Sequence, residues 1–120
     1  MFIAYEIAKE LIVSLRPIVP AIKRHDADLA DQLRRAAQSV LLNLGEGKKF
    51  ANGNRRKHYE IAQGSANEVK AALDAAEAWG WLDVRGPEWA LVDRLLAVLW
   101  KLTHAPSIQQ LAPRKRPSPS

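Results

Sequence analysis

Four stretches of this chain repeat apolar residues at steps of three and four, and none sustains a strand-like alternation. That periodicity makes the chain all-helical. The first helix is expected over 3–23, where Ala4, Ala8, Leu11, Leu15, Ile18 and Ile22 share a face. Pro17 and Pro20 fall inside it. Each removes a backbone donor and crowds the preceding turn, so a kink or short break is expected near 16–20, with two separate short helices as the lesser alternative. The second helix is expected over 28–47, capped by Asp26 or Asp28, with Leu29, Leu33, Ala37, Val40 and Leu44 as its seam. Gly47 is read as its left-handed terminating residue.

Asn52-Gly53 marks a turn before a third helix at 54–79. Its seam is Tyr59, Ala62, Ala66, Val69, Leu73 and Ala76, and Gly80 stops it. Pro87 opens a fourth helix that runs to His104. Short connectors make an antiparallel up-down-up-down four-helix bundle over 1–105 the default architecture. Residues 106–120 read as a flexible Pro/Ser/basic tail.

Chemistry is conspicuous by what is missing. With no cysteine, thiolate metal sites, disulfides and a cysteine nucleophile are excluded. His25, His58 and His104 follow no metal-ligand spacing, and there is no phosphate-binding glycine loop and no nucleophile elbow. The expectation is a non-enzymatic protein with no metal and no cofactor. An enzyme built on Glu46, His58 and Glu68 is a third, minor reading. No apolar run is long enough to span a bilayer and no signal peptide is recognisable, so a cytoplasmic protein without membrane contact is expected.

Three features carry the functional reading. Ser39, Asn43 and Glu46 share one face of the second helix, and Ser65 and Glu68 one face of the third. Folded back around the turn, they form a polar network, read as structural rather than catalytic. Glu46 is then expected near Arg55, and Asn43 near His58 or Tyr59.

The second feature is the basic segment Lys48, Lys49, Arg55, Arg56 and Lys57, with no acidic residue from 48 to 57. Clustered at one end of the bundle, these cations suit phosphate contacts. The net charge of +5 overstates the basic surface, since Arg114, Lys115 and Arg116 in the tail supply three of those charges. The third feature is the wide apolar surface of the last helix. Trp89, Leu96 and Trp100 lie beside its main stripe and are expected at a subunit interface.

Residues 29–82 resemble the bacterial four-helix-bundle family of 23S rRNA intervening-sequence proteins. The resemblance runs from Gln32 to Val40 through Asn43-Leu44-Gly45-Glu46-Gly47, then Tyr59, Ile61-Ala62-Gln63-Gly64-Ser65, Glu68 and Gly80-Trp81-Leu82. The ordered pair Asn-x-x-Glu-Gly and Ala-x-Gly-Ser-x-x-x-Glu is its most specific part. Where the family usually carries alanine, this chain has Gly45.

The resemblance implies a ring-forming homo-oligomer, typically a homopentamer. It also implies a relation to the accessory variability proteins of diversity-generating retroelements, which bind nucleic acid and a reverse transcriptase through a basic ring surface. The leading expectation is therefore an oligomeric bundle that binds RNA or DNA through the 48–57 segment. The alternative is a protein-interaction scaffold, or an accessory subunit for a nucleic-acid enzyme such as a reverse transcriptase.

Overall fold

The structure, a computed structural model, describes residues 1–51 and 53–104. Among them there are five helices and no strand: α1 (Ile3–Leu15), α2 (Ile18–Lys23), α3 (Ala27–Gly47), α4 (Gly53–Ala78) and α5 (Pro87–His104). The tail expected at 106–120 and its three cations lie outside the described residues, as does Asn52 of the expected turn.

The first expected helix is broken in two. Arg16 and Pro17 keep right-handed helical dihedrals, but the Arg16 N–H reaches back only three residues to the Val13 carbonyl. Pro17 has no N–H to continue the ladder and Pro20 cannot donate to the Arg16 carbonyl, so the chain bends and restarts. The short break expected near 16–20 is observed at Arg16 and Pro17, between two separate helices.

The other boundaries follow their caps. Asp26 is extended and its carboxylate accepts the Leu29 N–H at 3.0 Å, starting α3. At the end of α4, Gly80 takes φ +78°, the Gly80 N–H donates to the Glu77 carbonyl and the Trp81 N–H to that of Ala76. This crossed pair of bonds satisfies carbonyls that the helix end leaves free, and it needs a residue that tolerates left-handed backbone. Pro87 opens α5, and the buried Glu88 carboxylate folds back to accept the Gly86 N–H at 3.0 Å.

Gly47 corrects the sequence reading. Its φ is not positive, and it ends α3 in ordinary helical backbone. Its function is close approach: a methyl group there would sit 2.6 Å from Tyr59 Cε1 and 3.0 Å from His58 Cβ.

α3 packs against α1, α2 and α4, while α5 packs against α4 and α1. α3 and α4 run antiparallel, since Asn43 meets His58 and Ser39 meets Ser65. α4 and α5 do too, joined by Gln63–Thr103 and Lys70–Asp93. Ile7, Leu11, Ile22, Leu33, Leu44, Leu73, Leu95 and Leu99 fill the core, each contributing about 1.5–3 kcal/mol by burial. Ala36, Ala62, Ala66 and Ala72 are buried on α3 and α4, and such small residues let the two backbones approach closely. No helix among the described residues is long and apolar enough to cross a membrane.

Candidate functional site

The α3–α4 seam carries a ladder of polar side chains toward the turn. Ser65 Oγ donates to Ser39 Oγ at 2.9 Å. Asn43 Nδ2 donates to the Ser39 carbonyl at 2.9 Å and to Ser39 Oγ at 3.2 Å. That carbonyl only accepts, so the Asn43 amide must face it with nitrogen, leaving Oδ1 toward His58 at 3.0 Å. Oδ1 accepts in turn, which places a proton on His58 Nδ1. Phe50 stacks on the same imidazole, with centroids 5.8 Å apart and planes 3° from parallel. The chain of bonds thus holds the ring from one edge and one face.

The turn itself is held by backbone and by one arginine. Phe50 N–H donates to the Gly47 carbonyl at 3.1 Å, and Arg55 Nη2 reaches across from α4 to the Lys48 carbonyl at 3.2 Å. A guanidinium at the carboxyl end of α3 also meets the negative end of that helix's dipole. Arg55 Nε is buried with no hydrogen-bond partner. Burial pushes the Tyr59 phenol above its ordinary pKa, with the Arg55 charge acting in the opposite direction.

The five cations expected at this end are not equivalent. Lys49 pairs with Glu46 at 3.3 Å, and Arg56 with Glu60 at 3.2 Å. Lys48 places its ammonium 4.6 Å from the centroid of the Tyr5 ring. Among the described residues no carboxylate lies within ion-pair distance of Lys48, Arg55 or Lys57, so these three carry the uncompensated charge.

Other expectations divide. Asn43 meets His58, as expected. Glu46 does not reach Arg55, because Lys49 one turn away on the same surface takes it. Glu68 is exposed and stands apart from the Ser39–Asn43–Ser65 ladder, lining a shallow groove with Gln32 and Arg35. Three residues along a helix turn the side chain by most of a circle, enough to carry Glu68 past the seam to its solvent side.

On α5, Trp89 is buried within the single chain beneath the Arg85 guanidinium, 4.0 Å from the ring centroid. Leu96 is half-buried, and Trp100 is 55% exposed. The link from Thr103 Oγ1 to Gln63 Oε1 at 2.8 Å was not anticipated, because a threonine inside an apolar stripe reads as filler. No group of three or more His, Asp or Glu among the described residues is placed to hold a metal ion.

The family model for the 23S rRNA-intervening sequence protein matches residues 2–87. The chain belongs to this family. No curated protein and no solved structure matches it. In this intervening-sequence protein the matched span takes in α1 to α4 and stops at the first residue of α5. The motif residues Asn43 and Gly47 on α3, with Tyr59 and Ser65 on α4, lie along one seam and brace the turn that bears the cations.

Proposed function

We propose that this intervening-sequence protein binds nucleic acid through the α3–α4 turn, as a non-enzymatic antiparallel four-helix bundle in which α1 and α2 act as one kinked helix. The observation that carries the reading is the trio Lys48, Arg55 and Lys57, with no carboxylate at ion-pair distance among the described residues, beside a turn that the polar ladder braces. Such a surface meets phosphates rather than base edges, so binding is sequence-tolerant and salt-sensitive. Three phosphate contacts give log K against log salt a slope of about −2 to −3 on duplex. Lys57→Gln is expected to weaken binding alike across sequences and to reduce that slope by about one. A folded protein that binds neither RNA nor DNA at about 50 mM salt overturns the reading.

Self-association is favoured by a separate observation. Gly64 sits mid-helix on α4, exposed, with nothing within 4 Å of where its Cβ would be. Glycine there costs about 0.8–1 kcal/mol relative to alanine, with no return inside the chain. Leu42 and Ile61 stay 59% and 43% exposed, and the Asn43–His58 bond sets them at one level of the same seam. A small residue flanked by two exposed apolar ones fits a second helix laid against α4. In the ring that the family resemblance implies, that helix comes from a neighbouring copy, and the basic turns repeat around one rim. A scaffold for a different protein would draw on the same patch and would leave the isolated chain monomeric.

A further inference from the structure

Two tryptophans face solvent among the described residues, and their surroundings differ. Trp79 is 71% exposed just beyond α4, stacked on Trp81, in a connector that carries both Asp83 and Arg85. Trp100 is 55% exposed on the last turns of α5. The His104 imidazole lies on its indole at 4.1 Å between centroids, with the planes 13° from parallel. His104 Nδ1 donates to the Trp100 carbonyl at 2.8 Å, which holds the pair in place before any ligand arrives.

The Gln63–Thr103 bond sets this pair beside α4, six residues or about 9 Å along the helix from Lys57. Lys101 follows Trp100 directly and is exposed. Glu60, the acidic residue closest to Gln63 along α4, is already paired with Arg56. An aromatic surface pre-stacked on one side, with Lys101 next to it in the chain and Lys57 on the helix it packs against, has the composition of a single-strand binding platform.

We infer that Trp100 is a stacking platform for an unpaired nucleobase, and that the preferred ligand of the basic turn is single-stranded rather than fully duplex. The inference rests on the nucleic-acid reading and deepens it: the turn holds phosphates, and α5 holds a base. Trp100 lies beyond residues 2–87, the span that matches the family model. A duplex presents its bases already stacked on each other and offers the indole nothing, which makes Trp100 a discriminator between the two forms.

The test uses the full chain, with fluorescence anisotropy of a labelled single-stranded RNA of about 12 nucleotides and of the blunt duplex of the same length. DNA versions of both are run alongside. Trp100→Ala is expected to weaken single-strand binding about tenfold, with duplex affinity within about twofold of the parent. Trp100→Phe should retain most of the single-strand affinity, and Trp79→Ala should match the parent on both ligands. Equal losses on both ligands, or none on either, overturn the platform while leaving the basic turn intact. A Trp100→Ala protein that changes its assembly size in light scattering also overturns it, by making Trp100 an interface residue. Failure of the parent chain to bind either ligand removes both proposals together.

Discussion

At Gly47 one hydrogen atom decides how close two helices come. The methyl group of alanine would overlap the Tyr59 ring, which is itself buried in the core. Gly47→Ala is expected to cost about 1–3 kcal/mol, read as a lowered denaturant midpoint. Gly45 makes an informative contrast. Its added Cβ would meet only Tyr5 Cε1 at 3.4 Å, an ordinary contact, so Gly45→Ala should raise stability by about 0.4–1 kcal/mol. Equal effects of the two changes would contradict the geometry.

A second prediction at this scale concerns pH. Arg85 grips Glu77 with bonds of 2.6 and 2.8 Å, and that hydrogen bonding holds the Glu77 carboxyl below its ordinary value. A depressed carboxylate stabilises the fold above the unfolded glutamate range and loses that contribution as pH falls through its folded value. Glu77→Gln should therefore destabilise the protein at neutral pH. The gap should close on acidification, measured as thermal midpoint against pH. A gap that stays constant would mean the pair contributes no charge-dependent stability.

At the scale of elements, the sequence was most legible where backbone chemistry is local. α3, α4 and α5 begin and end within one residue of where Asp26, Gly80 and Pro87 place them, because caps and stops act on their own turn. Misreadings came from contacts between elements. Gly47 reads as a terminator until Tyr59, twelve residues away, is set against it. Glu46 reads as a partner for Arg55 until the competing Lys49 is counted, and a neighbour three residues away costs less chain entropy to hold than one across a turn. The Asn43–His58 contact was accessible because both ends sit in segments whose register is set by the seam. Cations disposed for phosphate contacts leave no spacing signature, so the basic turn names no ligand by itself.

The break between α1 and α2 supplies the prediction for this scale. Arg16 and Pro17 already hold helical dihedrals, so restoring one donor should suffice to join the pieces. Pro20→Ala offers an N–H to the Arg16 carbonyl, and helical content by circular dichroism should rise with a gain of about 1 kcal/mol in stability. The same bend opens a groove lined by Ile12, Leu15, Val19, Pro20 and Ala37, which straightening should narrow. Unchanged helicity would show that packing, not the missing donor, imposes the bend.

For the whole molecule the question is how many copies make the working object. Light scattering of the parent should give a species several times the 13.4 kDa chain. Leu42→Glu, on the exposed side of the seam, should reduce it to a smaller species that keeps its helical spectrum. A parent that is already monomeric removes the rim of repeated turns and shifts weight to a scaffold whose partner is another protein.

The alanines between α3 and α4 carry a consequence for how such a chain can diverge. Gly47 leaves no room there for even a methyl group, and Ala36, Ala62 and Ala66 are buried, so a larger residue at any of them must displace packed neighbours. Between α1 and α5 the filling is Ile7, Leu11, Leu95 and Leu99, where one branched side chain can replace another with repacking. Over descent, α3 and α4 should therefore behave as a slow clock. Kinship among these proteins would then be traced best through the two middle helices.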